Sequence, residues 1–392
     1  MDIKRLISTV SLPQLSIDEA IEFQFRLVDT INKYLPGDEF LSNGDLGLVH
    51  DLSGREMGSE GSRPRHTALV EKVLADFFHV EDAVLVPGAG TGAIRAALTA
   101  CTSPGDRVLV HAAPIYKTTE ATLNSAGVLK VRVDLNDEAR LLSVLENEDI
   151  AAAVVQHIPQ QPGDNYDLER IISCIRRVLG ARCTIIIDDN YAVFRVPRIG
   201  VELGADLSAF SLFKLLGSPL VGCVLGPSRT LARIRKALSS GGSQIQGIDA
   251  LNTLRGLVYC PVALAIQNEV TQKVAVRVNS LVAEGRCPWA DWVDSAHSLQ
   301  CSHRNVVIVL RDPVAKELLT YCWKRGAASR PVGEESRYEV GPLFYRLSSS
   351  FLEADPELED YCFRVNPFRS GPETILRILE KALSDLATAK RR

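Results

Sequence analysis

Hydrophobic and polar positions follow two alternating periods from about residue 65 to residue 225. Apolar residues recur at helical spacing in HTALVEKVLADFFHV, which starts at His66, and seven short apolar runs follow it. Amphipathic segments of helical length lie between most of these runs. The runs are Val84–Val86, Val108–Val110, Val128–Val133, Ala151–Val155, Ile185–Ile187, Leu207–Phe210 and Val221–Leu225. This pattern predicts an α/β fold, with a mostly parallel sheet covered on both faces.

The two ends of the chain differ from this central pattern. Residues 1–50 lack the alternation and contain the glycine-rich segment LSNGDLGL. Beyond about residue 267, a helical stretch precedes the strand-like RNVVIVLRD and a C-terminal helix from Glu373 to Leu386. We therefore predict an N-terminal arm (1–50) that forms part of the small domain, a large domain (51–266) and a small α/β domain (267–392).

Composition narrows the class of protein. The 392 residues carry a formal charge of −4, which argues against a nucleic-acid partner. The nine cysteines include no C-x-x-C pair, so they predict reduced core thiols rather than a metal site. No apolar run is long enough for a membrane span, and the N-terminus lacks a secretory pattern. We expect a cytoplasmic protein with no metal.

Glycines follow the first apolar run, where parallel sheets bind ligands beyond the ends of their strands. The segment Gly88-Ala89-Gly90-Thr91-Gly92-Ala93 opens a predicted helix, whose N-terminal amides attract anions. Its G-x-G-x-G spacing differs from the dinucleotide fingerprint G-x-G-x-x-G. The segment therefore predicts either a phosphate site or a tight turn that needs small residues.

Other polar or aromatic residues follow later runs. Tyr116 could stack on a planar ligand or lie at the rim, and Gln160 and Gln161 could bind a ligand oxygen or belong to a polar loop. Asp188 and Asp189 end an apolar strand, where a carboxylate is costly unless it meets a cation or caps a helix. We favour a ligand cation for Asp188.

Lys214 ends another apolar strand, three residues after Ser211. Burial lowers the pKa of an amine and activates it as a nucleophile, although a lysine at a helix start can also extend into solvent. A phosphate cradle, an aromatic ring, a carboxylate and an amine are together the groups that hold pyridoxal phosphate (PLP).

These residues resemble the fold-type I PLP enzymes of the aminotransferase superfamily. Ala89-Gly90-Thr91-Gly92-Ala93 is similar to their phosphate loop, and Asp188-x-x-Tyr191, Ser211-x-x-Lys214 and Arg364-Val365-Asn366 resemble three further motifs. The segments PGDNYDL, DDNYAVF, GADLSAFSLFK and LRGLVYCP are similar to the methionine γ-lyase and aluminium-resistance branch of Cys/Met-metabolism enzymes, and nearly the whole chain resembles the bacterial YhfS-like group.

The resemblance implies an aminotransferase-like fold with a seven-stranded sheet, PLP as cofactor, and a homodimer or a dimer of dimers. Lys214 would form the Schiff base and act as general base, Asp188 would hold the ring nitrogen, and Tyr191 would contact the phenolic oxygen. The other implied contacts are phosphate binding by Gly90, Thr91, Gly92 and Ser211, stacking by Tyr116, phenolic-oxygen binding by Gln161, and substrate carboxylate binding by Arg364, with Arg369 and Arg346 in reserve.

The chain departs from the family pattern in two places. Aspartate-type aminotransferases carry a phosphate-binding arginine eight residues after the lysine, but here that position is Gly222. We expect Arg63 or Arg65 of a neighbouring subunit to replace it. An ungapped comparison with cystathionine lyases favours Asp189 as the ring carboxylate, whereas the D-x-x-Tyr spacing favours Asp188.

The residues leave the reaction open among several classes. We place an aminotransferase slightly ahead of a C–S lyase, since the Gly-Thr-Gly, Asp-x-x-Tyr and Arg-x-Asn features agree. A non-catalytic PLP-fold binding protein and a nucleotide-dependent oxidoreductase are further alternatives, although the latter leaves Lys214 unexplained. The expected partner is a small amino-acid substrate. Residues 334–345 are candidates for the pocket that binds the substrate side chain. The segment Gly241-Gly242-Ser243-Gln244 is either a mobile loop that contributes to the neighbouring site or a turn between helices.

Overall fold

The computed structural model describes residues 12–46, 63–113, 115–158, 165–238, 243–285, 290–299, 305–333, 335–347, 352 and 355–391. The chain divides into two compact units. The first unit comprises Asp18–Ile158 and Tyr166–Val262, and the second comprises Met1–Ile17, Pro159–Asn165 and Ala263–Arg392.

A seven-stranded sheet forms the centre of the first unit, in the order β1-β7-β6-β5-β4-β2-β3. Its strands are β1 (Asp82–Pro87), β2 (Arg107–His111), β3 (Leu129–Val133), β4 (Ala152–Gln156), β5 (Thr184–Asp188), β6 (Leu207–Ser211) and β7 (Val221–Gly226). Strand β7 runs antiparallel to both β1 and β6, and the other four pairings are parallel. Each of the seven predicted apolar runs coincides with one strand, so the predicted sheet is confirmed.

Helices cover both faces of this sheet because successive strand side chains point to opposite sides. The helices of the first unit are α1 (Ile17–Tyr34), α2 (Asp38–Leu41), α3 (Arg65–Phe77), α4 (Ala89–Cys101), α5 (Lys117–Ser125), α6 (Glu138–Asn147), α7 (Leu168–Leu179) and α8 (Ser228–Ala237). On β5, Ile186 packs in the core that contains α4, whereas Ile185 and Ile187 pack in the core that contains α6 and α7. Adjacent residues at the end of β5 therefore face different surroundings.

A four-stranded antiparallel sheet, in the order β10-β11-β9-β8, forms the centre of the second unit. Its strands are β8 (Val293–Leu299), β9 (Asn305–Leu310), β10 (Leu343–Tyr345) and β11 (Cys362–Asn366). The helices α10 (Ala315–Lys324), α11 (Leu358–Tyr361) and α12 (Pro372–Lys390) accompany it. Phe344, Phe363 and Val365 pack with α10 and α12 in one core. This arrangement confirms the predicted smaller C-terminal α/β part.

Two helices go beyond the sequence-based expectations. Within the predicted arm, α1 buries Ala20, Leu27 and Ile31 along one stripe. The long helix α9 (Gly247–Glu284) begins in the first unit and ends in the second, and it contains Pro261. None of the helices in the described part of the chain is long and apolar enough to cross a membrane.

Candidate active site

Lys214 lies where β6 ends, in a short 3₁₀ turn (Phe213–Leu215). Its backbone N–H donates to Ser211 Oγ at 3.3 Å, which fixes the turn against the strand end. The Lys214 Nζ is 3.7 Å from the centroid of the Tyr191 ring and 6.0 Å from that of Tyr116. The structure thus brings together the predicted amine and both predicted tyrosines.

Asp188 is the last residue of β5 and is 8 % exposed. Its Oδ1 accepts hydrogen bonds from Asn190 Nδ2 at 2.6 Å and from the Asn190 N–H at 3.1 Å. Burial raises the pKa of the Asp188 carboxyl, whereas the Asn190 donors and the nearby Lys214 ammonium oppose that shift. A carboxylate in these surroundings is stabilised by any cation that binds beside it.

Asp189 has different partners and is fully buried. Its carboxylate accepts a hydrogen bond from Gly200 N–H at 3.0 Å and lies 2.6 Å from His157 Nδ1. A Cβ added at Gly200 would lie 2.5 Å from Ile187 Cβ, so this loop packs on the face of β5 opposite to α4. The structure therefore separates the two adjacent carboxylates.

The predicted phosphate loop forms the start of α4. Gly88 adopts φ +91° before the helix, and no side chain caps the helix N-terminus. A Cβ at Gly90 would lie 2.0 Å from Asn190 Oδ1, and one at Gly92 would lie 1.9 Å from the Pro87 carbonyl oxygen. The Thr91 hydroxyl donates to Thr118 Oγ1 at 3.1 Å. Both glycines are therefore required by close packing, and the first-turn amides offer donors suited to an anion.

Gly222 explains why the family's arginine is missing at this position. It pairs with Val86 on β1 and with Ser211 on β6. A Cβ there would lie 2.2 Å from the Ala89 carbonyl oxygen, so the loop before α4 occupies the space that a side chain would need. No arginine fits at position 222 without moving backbone atoms.

The remaining predicted residues of the first unit are less confined. Tyr116 is 45 % exposed, in keeping with a ring that lies open to a ligand. Arg63 Nε lies 3.3 Å from Glu71 Oε2, and Arg65 pairs with Glu39, so both arginines contact acids of their own chain. Gln160, Gln161, Gly241, Gly242 and Glu334 lie outside the described residues.

Arg364 lies on β11 in the second unit and is 5 % exposed. Its guanidinium carbon is 4.0 Å from the Tyr345 ring centroid, and its Nε donates to the Arg346 carbonyl oxygen at 3.0 Å. Among the described residues, its buried Nη1 has no hydrogen-bond partner. Arg346 pairs with Glu359 at the surface and Arg369 is exposed, so only Arg364 has the burial expected of a carboxylate-binding residue.

Sequence reasoning missed several buried polar residues around these groups. Asn190 Oδ1 accepts from Ser211 N–H at 2.9 Å and Asn190 Nδ2 donates to Asp188, so Asn190 links β6 to Asp188. It did not single out His157 at all. In the second unit, Gln267 Nε2 donates to Asn366 Oδ1 at 2.6 Å and to Glu335 Oε1 at 3.0 Å. The available signal was a polar residue within two positions of the end of an apolar strand, as at Asn190 and His157.

Comparisons with known proteins point to one family. Residues 59–284 match the family described as Cys/Met metabolism PLP-dependent enzyme, and residues 276–379 match the YhfS-like C-terminal domain. The chain is 45% identical to the protein YhfS of Escherichia coli (strain K12) over 380 residues, which are 97% of this chain and 100% of that protein.

Solved structures show the same fold. The crystal structure of the pyridoxal-5'-phosphate dependent protein YhfS from Escherichia coli matches with a TM-score of 0.87 at 45% identity, covering 96% of this chain and 99% of that one. A putative cystathionine beta-lyase involved in aluminium resistance from Clostridium acetobutylicum matches at 0.66 and 19% identity (94% and 91% covered). The cystathione gamma lyase CalE6 from Micromonospora echinospora matches at 0.62 and 18% identity (84% and 91% covered). The predicted fold-type I architecture is therefore confirmed.

The described residues fit pyridoxal phosphate by their chemistry. An amine, a buried carboxylate that lacks a full countercharge, an exposed aromatic ring and uncapped helix amides meet in the first unit. These are the groups that the cofactor's aldehyde, ring nitrogen, ring face and phosphate require.

Proposed function

The chain belongs to the Cys/Met metabolism family of PLP-dependent enzymes, and we propose that it is a lyase that breaks a carbon–sulfur bond at the β- or γ-carbon of an amino acid. The earlier preference for an aminotransferase is not supported by the comparisons, and the lyase alternative fits them better. The family match of residues 59–284 carries the choice of a lyase, and the approach of Lys214 Nζ to Tyr191 beside Asp188 carries the PLP-dependent chemistry.

PLP supplies an electron sink for the electron pair released when a bond at the substrate α-carbon breaks. Lys214 would hold the cofactor through its amine, and that amine, once free, would take the proton from the substrate α-carbon. The Tyr191 ring lies against the Lys214 ammonium and directs it, and Tyr116 offers its exposed face for stacking. Gln161 stays a predicted contact of the phenolic oxygen.

Asp188 is a better candidate than Asp189 for binding the ring nitrogen of PLP. Its carboxylate is on the Lys214 side of the strand end, and burial raises its pKa, so a protonated nitrogen beside it offsets the cost of its charge. Asp189 is fully buried and already bonded to Gly200 and His157. We therefore assign the ring contact to Asp188.

The phosphate would bind the first-turn amides of α4 with the hydroxyls of Thr91 and Ser211. Because Gly222 excludes an arginine, a positive charge must come from elsewhere, and Arg63 or Arg65 of a neighbouring subunit is our candidate. Arg63 is tested first because its side chain is the less exposed of the two. Mixing the inactive variants Lys214→Ala and Arg63→Ala should restore about a quarter of the activity if two subunits share each site. Absence of any restoration contradicts the shared site.

A homodimer is consistent with the surface of the first unit. Eight large apolar side chains there are between 42 % and 73 % exposed: Phe25, Leu41, Leu46, Tyr116, Leu129, Leu220, Ile248 and Tyr259. Exposed apolar side chains are typical of an interface where they form a contiguous patch. All seven described cysteines are free thiols, which supports a reducing compartment such as the cytoplasm.

Arg364 is the proposed partner of the substrate α-carboxylate. Its guanidinium is fixed by the Tyr345 ring and by the Arg346 carbonyl, and its buried Nη1 can donate to a carboxylate oxygen. Ion pairs of this kind are strong because two parallel N–H donors can bind the two carboxylate oxygens.

The first experiment is the absorption spectrum of the purified protein before and after borohydride. Wild type should show a visible band that borohydride removes, with added mass on Lys214. Lys214→Ala should lose both signals, and Lys72→Ala, which changes an exposed lysine on α3, should keep them. A protein that stays colourless with added PLP contradicts the proposed function.

The reaction products distinguish a C–S lyase from an aminotransferase. A lyase converts one sulfur-containing amino acid and water into a thiol, ammonia and a 2-oxo acid without a second substrate. An aminotransferase needs an added 2-oxo acid and releases no ammonia. Ammonia and thiol in equal amounts would support the lyase, and 2-oxo-acid dependence without ammonia would contradict it.

A further inference from the structure

A buried histidine–carboxylate pair lies directly behind the candidate site. His157 is 5 % exposed, Asp189 is fully buried, and His157 Nδ1 lies 2.6 Å from Asp189 Oδ1. The acceptor is a carboxylate, so Nδ1 carries the proton and donates it. No step of the proposed reaction uses either residue.

The pair fixes the backbone on both sides of Asp188. The His157 backbone N–H donates to the Asp188 carbonyl oxygen at 3.1 Å, and its ring binds the next side chain, that of Asp189. The Asp189 carboxylate also accepts from Gly200 N–H at 3.0 Å. One histidine therefore joins the ends of β4 and β5 to the loop that leads into β6.

The same pair supports the turn that carries the other site residues. The Asp189 carbonyl oxygen accepts from Ala192 N–H at 3.0 Å, which closes a turn over Asn190 and Tyr191. Asn190 orients the Asp188 carboxylate, and Tyr191 lies against Lys214. A buried carboxylate that loses its donor must move or take up a proton, because an uncompensated buried charge is costly.

We propose that His157 and Asp189 form a positioning pair that aims the Asp188 carboxylate at the ring nitrogen of the cofactor. The proposal rests on the proposed PLP-dependent function and adds two residues to it. Neither touches the cofactor: His157 acts through Asp189, and Asp189 acts through the turn that holds Asn190 and Tyr191.

The test compares two amides at position 157 in the PLP-loaded full-length protein. His157→Asn places an N–H donor near the position of Nδ1, whereas His157→Gln places it near that of Nε2. His111→Asn is the matched control, because His111 ends β2 and its Nδ1 accepts from Leu135 N–H at 3.1 Å. Each variant is measured for its PLP dissociation constant and for the pH midpoint of its visible band.

We expect His157→Asn and His111→Asn to stay within about threefold of wild type in PLP affinity, with an unchanged pH midpoint. His157→Gln should weaken PLP binding by about tenfold or more and move the midpoint by roughly one pH unit, because Asp188 no longer holds the ring proton. A purely structural role would lower the thermal midpoint of the apo-protein without moving the pH midpoint, and that result overturns the proposal.

Asp189→Asn provides a second arm that does not depend on the folding of the His157 variants. It should retain visible absorbance with a shifted pH midpoint, whereas Asp188→Asn should show the larger loss of PLP affinity. The reverse order would mean that Asp189 holds the ring, which overturns the positioning role. Failure of wild type to bind PLP at Lys214 would instead contradict the proposed function, so the two failures are distinguishable.

Discussion

Gly222→Ala tests how tightly the phosphate loop packs on the sheet. The added Cβ would lie 2.2 Å from the Ala89 carbonyl oxygen and 2.8 Å from its carbon, both of them backbone atoms. To remove this overlap, the backbone at Ala89 or Gly222 must shift by about 1 Å, because non-bonded carbon atoms pack at about 3.5 Å or more. That shift would also strain the 2.8 Å hydrogen bond from Ala89 N–H to the Leu220 carbonyl oxygen.

These contacts determine how much stability Gly222→Ala should lose. Overpacking a core costs about 1–3 kcal/mol, and a rigid backbone obstacle places this substitution at the upper end of that range. Weakening one hydrogen bond adds about 1 kcal/mol. We therefore expect the free energy of unfolding to fall by about 3–4 kcal/mol, which is more than a hundredfold in the unfolding equilibrium.

Urea unfolding of the cofactor-free protein, followed by fluorescence and circular dichroism, measures this loss. Gly341→Ala is the matched control, because nothing lies within 4 Å of the position of its Cβ. The control should stay within about 0.5 kcal/mol of wild type. Equal midpoints for the two variants would refute the close approach, and with it the explanation for the absence of an arginine at position 222.

Three further substitutions test the candidate site. Burial raises the pKa of the Asp188 carboxyl in the folded protein above its ordinary value of 3.8. The charge of Asp188 therefore destabilises the folded state at pH values above 3.8 and has no such effect below it. Asp188→Asn should therefore raise the urea midpoint of the cofactor-free protein at neutral pH, and the difference should vanish as the pH falls toward 3.8. Arg364→Lys should lower kcat/KM by about tenfold to a hundredfold through lost carboxylate binding, while the exposed Arg346→Lys should change it little. Asn190→Ala should weaken PLP binding by about tenfold, measured by titration, because Asp188 loses its side-chain donor.

The sequence predicted the sheet well because buried strands read as continuous apolar runs. All seven runs became strands, but the reversed direction of β7 could not be predicted, since a fully buried strand has the same pattern in either direction. Helix α1 was missed within the arm because its stripe buries only three residues.

The candidate site could be predicted only in part. Asp188 ends β5, Lys214 and Tyr191 lie three residues beyond strand ends, and all three match family motifs, so their positions could be found from the sequence. The roles of Asn190 and His157 depend on partners distant in the sequence, at Ser211 and Asp189. Each residue follows an apolar strand, but that local pattern does not specify which distant residue it binds.

The choice between Asp188 and Asp189 shows why spacing alone was insufficient. An ungapped comparison with cystathionine lyases favours Asp189 as the ring carboxylate, whereas the D-x-x-Tyr spacing favours Asp188. Strand geometry separates them, because adjacent residues point to opposite faces. Asp188 therefore shares a face with Ile186 and α4, and Asp189 contacts the Gly200 loop on the other face.

Several site residues are held in positions that cost stability in the cofactor-free protein. Burial opposes the charge of Asp188, and Arg364 keeps a buried Nη1 that bonds to none of the described residues. Under the proposed function, a specific part of the ligands would remove each cost: the ring nitrogen for the carboxylate and the substrate carboxylate for the guanidinium. A ligand that binds only the folded state stabilises it in proportion to the logarithm of its concentration over its dissociation constant. PLP should therefore raise the unfolding midpoint of wild type more than that of Asp188→Asn, because only the wild-type carboxylate gains a countercharge from the ring.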